Sequence, residues 1–346
     1  MKCEISAITY HLPDAVLTNA ELARQFPDWS LEQIAAKTGI DERHVVDAET
    51  CSSDLAVKAA ERLFRSGACN PSEVDFLLLC TQSPDYFLPT TACLLQTRLG
   101  IPKNCGALDF NLGCSGFVYG LALAGGLIRS ECASLVLLIT AETYTKFIQP
   151  EDRSLRTIFG DAAAATLIRA RKDGGIGPFI FGTDGTGAEE LIVFGGAMRL
   201  PTSAESTAVQ QDEYGNKRSP NHLYMNGPEI FSFTLREIPR VVAELLDHTK
   251  KTSDEIDLFV FHQANHYMLE HLRRKLHIAE DKFFVSMKHC GNTVSSSIPI
   301  ALTDAVRMGK LRAGATVMLV GFGVGYSWAA TLVKWSPEFI CEPARA

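Results

Sequence analysis

Cys114 stands in Gly113-Cys-Ser-Gly116, directly before an apolar segment running from Phe117 to Ile128. A cysteine where a helix opens meets unpaired backbone N–H groups and the positive helix end. Both favour a thiolate, and the flanking glycines let a substrate come close. Such a residue could carry an acyl group as a thioester. His262 follows the apolar run Leu258 to Phe261 and precedes a helical segment from Asn265 to Leu276, so it falls at a strand-to-helix corner. Asn292, in Gly291-Asn-Thr293, could cap a turn or offer an amide donor to a carbonyl. Read singly, the three also fit a buried structural thiol, a satisfied core histidine and a turn residue.

The elements that must position them form an ordered duplication. Ser72 to Gln82 and Asp254 to Gln263 share one pattern: an acid, an aliphatic residue, Asp, then a continuous apolar run that reads as a buried strand. At a similar distance beyond the two aspartates come Asn111-Leu-Gly-Cys-Ser-Gly116 and Cys290-Gly-Asn-Thr-Val-Ser-Ser296, each opening an apolar helix, 117–128 or 298–306. Strands at 135–140 and 317–320 follow, then the runs 163–168 and 329–333. Four elements recurring in one order predict two copies of a βαβ-rich unit about a pseudo-twofold axis. Cys114 and Asn292 then face each other across that axis, with His262 opposite the Thr81 region.

Two segments break the repeat. Residues 141–160 are an excursion of the first copy, and 199–221, polar with two prolines, read as a mobile surface loop or lid. The cluster Gly321-Phe-Gly-Val-Gly325 lacks dinucleotide-fingerprint spacing and is expected to be a tight loop whose N–H groups could face an oxyanion.

Composition bounds the rest. Hydrophobic residues make up 46% and charged residues 21%, as in a packed globule, and a net charge of −7 gives no global attraction to nucleic acid or an anionic membrane. Pro13 and Asp14 come too early for a signal peptide, and no membrane-length apolar run is present, so a cytoplasmic protein is expected. The ten cysteines include no CxxC pair and no zinc-ligand spacing, so most are expected to be buried thiols.

Several stretches together resemble the 3-oxoacyl-[acyl-carrier-protein] synthase III family across almost the whole chain. They are Thr38-Gly-Ile-Asp-Glu-Arg-His44, Cys114-Ser-Gly-Phe117, Ile158-Phe-Gly-Asp161, His262-Gln-Ala-Asn265, Gly291-Asn-Thr293 with Ser297-Ile-Pro299, and Gly321-Phe-Gly-Val-Gly-Tyr-Ser-Trp328. The resemblance implies an α/β thiolase-like fold, with halves 1–175 and 176–346 forming a layered αβαβα sandwich. It implies a decarboxylating Claisen condensation by Cys114, His262 and Asn292, with the N–H groups of Cys114 and Val324 as oxyanion hole. Arg153, Lys37, Asn265, Phe159, Leu88, Phe87, Met225 and Phe231 match substrate-binding, acyl-tunnel or dimer-interface positions, and Arg273, Arg274 and Lys275 match a carrier-docking patch. The implied partners are acyl-CoA or an acyl-carrier protein, malonyl-carrier protein and a second copy of the chain, with no metal or redox cofactor.

This chain departs from the family at the CoA clamp, where Gln33 and Lys37 stand for a Trp and an Arg, and at Val324, which stands for a Gly. A backbone donor tolerates that valine only where φ is negative. Two other readings stay open: transfer of the acyl group to an alcohol or amine, and a non-catalytic partner subunit.

Overall fold

The repeat becomes two sheets with one strand order. The computed structural model describes residues 2–27, 30–172, 175–335 and 339–340. The first sheet contains β1 (Lys2–His11), β2 (Phe76–Cys80), β3 (Gly106–Phe110), β4 (Leu135–Glu142) and β5 (Ala162–Arg171). The second contains β6 (Ile176–Thr183), β7 (Leu258–Phe261), β8 (Phe283–Phe284), β9 (Thr316–Gly323) and β10 (Ser327–Lys334). Their orders, β1-β5-β4-β2-β3 and β6-β10-β9-β7-β8, coincide when each strand is matched to its counterpart. The pairing senses coincide too: β2 is parallel to β3 and β4, β7 to β8 and β9, and the remaining two ladders of each sheet are antiparallel. One strand crosses over, β11 (Phe339–Ile340), which pairs in parallel with β1.

Helices fill three layers around the sheets. α1 (Ser52–Arg65) and α2 (Thr91–Arg98) cover the outer face of the first sheet, and α4 (Gly227–Thr249), with α5 (His266–Lys275) against it, covers the second. Between the sheets lie α3 (Gly116–Arg129) and α6 (Ser297–Arg307), giving an αβαβα sandwich. Every residue of β4 is buried, which is why the central strands read as unbroken apolar runs instead of alternating ones. α3 is apolar nearly all round because it packs against both sheets, and it comes close: a Cβ on Gly120 would lie 2.6 Å from Leu138 Cδ1.

Residues 199–221, expected as a mobile surface loop or lid, carry short local structure. Ser203 caps a short helix, Ala204–Thr207, and Gln210–Gln211 pairs with Lys217–Arg218 around a turn in which Gly215 takes φ +84°. Arg218 reaches Asp152 and Asp212, each at 2.9 Å, so the hairpin is pinned to the 141–160 excursion by a half-buried cation between two carboxylates. Its polar residues satisfy one another locally, and for that reason they show no apolar period.

Candidate active site

Cys114 sits in the turn between β3 and α3. The Gly116 N–H closes that turn on the Gly113 carbonyl at 2.8 Å, so the cysteine lies two residues ahead of the helix. β9 of the other half presses directly upon it. A Cβ on Gly323 would stand 2.8 Å from Cys114 Cβ and 2.9 Å from Sγ, and one on Gly321 would stand 2.9 Å from the Cys114 carbonyl oxygen. The last glycine cluster is therefore largely strand, and its glycines permit this approach. Ser115 and Ser327 hydroxyls join the halves at 2.7 Å.

The N–H groups of Cys114 and Val324 both bear on Sγ and favour its charged form. Val324 is not among the positive-φ residues, so the valine is compatible with that geometry. These donors do not win in the empty site. Burial, and after it the charge of Glu142, push the Cys114 thiol up to about 12. The expectation of a resting thiolate is thus corrected: the helix end and amides act on a sulfur that has lost its water.

His262 ends β7, its N–H bonded to the Val320 carbonyl at 2.8 Å. Gln263 locks the corner, its side chain donating to the Phe261 carbonyl at 2.6 Å and accepting from the Ser286 N–H at 2.7 Å. The imidazole is buried, with Nδ1 2.8 Å from the Ser297 hydroxyl and its ring edge-on to Phe322. Loss of water holds it neutral, with a pKa lowered to about 3.

Asn292 is fixed from both sides. Its N–H donates to the Ile158 carbonyl at 2.9 Å and its carbonyl accepts from the Gly160 N–H at 3.0 Å, a bridge that accounts for the Ile158-Phe-Gly-Asp161 motif. Asp161 anchors that motif in turn, accepting from the N–H groups of Val46 and Thr145, each at 2.9 Å. The Asn292 Oδ1 accepts from the Val294 N–H at 2.9 Å, which leaves Nδ2 as the donor available to the site. Val294, buried and β-branched, holds φ +53° to make that contact, a strained conformation of the kind found where a site dictates the backbone.

Cys114, His262 and Asn292 line one narrow cavity of about 70 Å³, with Phe159, Met225 and Asn265 also in its wall. Asn265 caps α5 as well, accepting from the Met268 N–H at 2.8 Å. The other substrate candidates lie elsewhere. Phe231 falls outside the cavity wall, within an aromatic trio with Tyr267 and His271. Phe87 and Leu88 are 74% and 86% exposed, so they do not line their own chain's cavity. The Arg153 guanidinium donates to the Tyr214 carbonyl of the folded hairpin. Lys37 is exposed on the helix Leu31–Thr38, and the Gln33 side chain lies outside the described residues.

The basic triplet divides. Arg273 is tied to Glu270 at 2.7 Å and to the Ile278 carbonyl at 3.0 Å, while Arg274, also paired with Glu270, and Lys275 are exposed. Sequence reasoning missed Ser297 and Glu142. The first was visible only within the Ser297-Ile-Pro299 motif, with no role attached, the second as an acid just beyond the apolar run 135–140. Among the described residues no cluster of three His, Cys, Asp or Glu side chains could hold a metal ion.

Comparison with known proteins agrees with this geometry. Residues 108–185 match the family model described as 3-oxoacyl-[acyl-carrier-protein (ACP)] synthase III, and residues 246–335 match its C-terminal counterpart. A β-ketoacyl-[acyl-carrier-protein] synthase III of Caldanaerobacter subterraneus subsp. tengcongensis is 35% identical over 94% of this chain and 96% of its own. A Streptomyces coelicolor relative, β-ketoacyl-[acyl-carrier-protein] synthase III 3, is 37% identical over 94% of each chain. A crystal structure of a 3-oxoacyl-(acyl-carrier-protein) synthase III superposes with a TM-score of 0.96 at 52% identity, covering 97% of this chain and all of the other. The priming β-ketosynthase of the R1128 polyketide pathway superposes at 0.84 with 26% identity over 97% of each chain.

Proposed function

The chain belongs to the 3-oxoacyl-[acyl-carrier-protein] synthase III family, of thiolase-like fold, and we propose that its three cavity residues run the condensation in two steps. First, the Cys114 sulfur attacks an acyl thioester. Because the resting thiol is neutral, its proton passes to His262 Nε2 as the C–S bond forms. The oxyanion takes hydrogen bonds from the N–H groups of Cys114 and Val324, the carrier thiolate leaves, and it takes the proton from His262. Second, a malonyl thioester enters. Its C–CO2 bond breaks, the electron pair forms an enolate held by His262 and Asn292, and CO2 departs. The enolate carbon attacks the acyl carbonyl, the Cys114–acyl bond breaks to give a 3-oxoacyl thioester, and the departing Cys114 thiolate takes a proton from water to restore the neutral thiol. Every step exchanges bonds without net oxidation or reduction, and N–H donors supply the carbonyl polarisation a metal could give, which supports the reading that neither a redox cofactor nor a metal is needed.

The observation that carries this reading is the convergence of Cys114, His262 and Asn292 on one cavity. The orientation of Asn292, Oδ1 on Val294 and Nδ2 free to donate, favours holding a carbonyl over deprotonating a hydroxyl acceptor. The test is CO2 release from malonyl-carrier protein. It should fall about 100-fold or more in Asn292→Ala while Cys114 still becomes acylated, and wild-type protein that becomes acylated but releases no CO2 would point to simple acyl transfer.

Two partners follow. Carrier protein is acidic by the family reading, and exposed Arg274 and Lys275, in the last turn of the helix that follows His262, are the cations that support docking on that helix. A second copy of the chain is supported by the open edge of β3, where exposed Leu108, Leu123 and Phe181 surround an apolar hollow. In such a homodimer the projecting Phe87 and Leu88 would reach the partner copy. Among the described residues no helix is long and apolar enough to cross a membrane, consistent with work in the cytoplasm.

A further inference from the structure

Glu142 ends β4, is 0% exposed and is near enough to Cys114 for its charge to act on the sulfur. Its carboxyl accepts from the Gln82 N–H at 3.0 Å, the Ser83 hydroxyl at 3.4 Å and the Ser295 hydroxyl at 2.8 Å. The titratable groups coupled to it are Cys80, Cys114, Tyr144 and Asp161, none of them a cation. A buried carboxyl held only by neutral donors contributes little to stability by charge, since desolvation outweighs what those donors return. Its position suggests another use.

Two of its donors lead to different parts of the site. Ser295 belongs to the second half, three residues beyond Asn292. Gln82 gives its N–H to Glu142 while its side-chain oxygen packs on the Cys114 turn, 2.4 Å from where a Cβ on Gly113 would stand, with Val324 Cγ1 3.1 Å from the same point. One carboxyl thus ties the Asn292 segment, through Ser295, and the turn before Cys114, through Gln82, to the first sheet. It also places a potential negative charge beside a sulfur that must become negative, in a space from which water is excluded.

We propose that Glu142 is a positioning residue of the condensation, tying the Asn292 segment to the Cys114 turn, and that its ionisation opposes ionisation of the nucleophile. The proposal rests on Cys114 being the nucleophile. Burial, the larger influence on the carboxyl, raises it to about 8, so its charge would appear within the working range and restrain the thiol at alkaline pH.

The test is the rate of Cys114 alkylation by iodoacetamide between about pH 6 and 10, read from the mass of the Cys114 peptide, in wild type, Glu142→Gln and Ser295→Ala. Glutamine keeps the volume: its oxygen can accept from the Gln82 N–H while its NH2 donates to the Ser295 hydroxyl, which can turn to accept. Glu142→Gln should alkylate about tenfold faster than wild type above about pH 8, where the wild-type carboxyl is charged, and at a rate close to wild type near pH 6. Ser295→Ala should slow condensation about tenfold while Cys114 acylation continues. A Glu142→Gln profile that superposes on wild type overturns the electrostatic role. Should that variant not fold, an unchanged condensation rate in Ser295→Ala overturns the tether. Failure of any acyl thioester to load wild-type Cys114 would instead remove the nucleophile assignment itself, a separate result.

Discussion

The Ser297 hydroxyl lies 2.8 Å from Nδ1 of His262. A hydroxyl both donates and accepts, so it suits either neutral tautomer of the ring: one with Nε2 bare to take the Cys114 proton, one with Nε2–H to hold an enolate. Ser297→Ala leaves Nδ1 unpaired in a buried site. Condensation turnover should fall about tenfold or more with only a small change in melting temperature. Steady-state kinetics beside a thermal melt check this.

Gly323 is placed to fix the nucleophile. A methyl there would meet Cys114 Cβ at 2.8 Å and Sγ at 2.9 Å, closer than packed carbon and sulfur come, so the side chain or β9 must shift. Gly323→Ala should slow acylation of Cys114 at least tenfold, since displacements near 1 Å are costly at a reacting centre. Mass spectrometry of the acylated peptide over time would show it.

The buried histidines set an acid limit on stability. His262 at about 3 and His11 at about 4 both lie below the ordinary 6.5, so the folded state binds fewer protons than the unfolded one. The stability tied to their neutral forms is complete above pH 6.5 and is lost as pH falls through that window. Glu142, raised to about 8, and Asp161, raised to about 6, act in the opposite sense, so the check is a difference: between about pH 6.5 and 4 the wild-type melting temperature should fall relative to that of His11→Gln. Since His262 is held neutral, the acylation rate should show no inflection near 6.5; one there would mean that His262 is solvated.

Carrier docking can be separated from chemistry. Reversing charge in Arg274→Glu with Lys275→Glu should raise KM for malonyl-carrier protein about tenfold, weaken its salt dependence and leave turnover within about twofold. The internally paired Arg273 is expected to affect folding more than KM.

Much of this was readable in the chain because the fold repeats itself. The runs at 76–80 and 258–261, and those at 135–142 and 316–323, are apolar throughout since both faces of each strand are covered, and their serial order identified the two halves. The short edge strands 106–110 and 283–284 carry no such run and were not legible. Cys114, His262 and Asn292, which line one cavity, were marked locally only as small-residue turns and a strand end, and their roles came from the family resemblance. Their electrostatics were not legible: the amides around Cys114 predict an ionised sulfur, whereas burial, a tertiary property, keeps it neutral. Ser297 and Glu142 act through contacts with residues distant in sequence, His262 and Ser295, and no local pattern marks them.

The account turns on Cys114 holding the acyl group. Wild-type protein should be incubated with a panel of acyl-CoAs and acyl-carrier proteins, the mass of the Cys114 peptide recorded, and malonyl-carrier protein then added while CO2 is followed. The expected result is a mass increase equal to one acyl group, absent in Cys114→Ala, that disappears in step with CO2 release and 3-oxoacyl product. Product formation in Cys114→Ala at the wild-type rate, with no donor ever adding mass to Cys114, would contradict it.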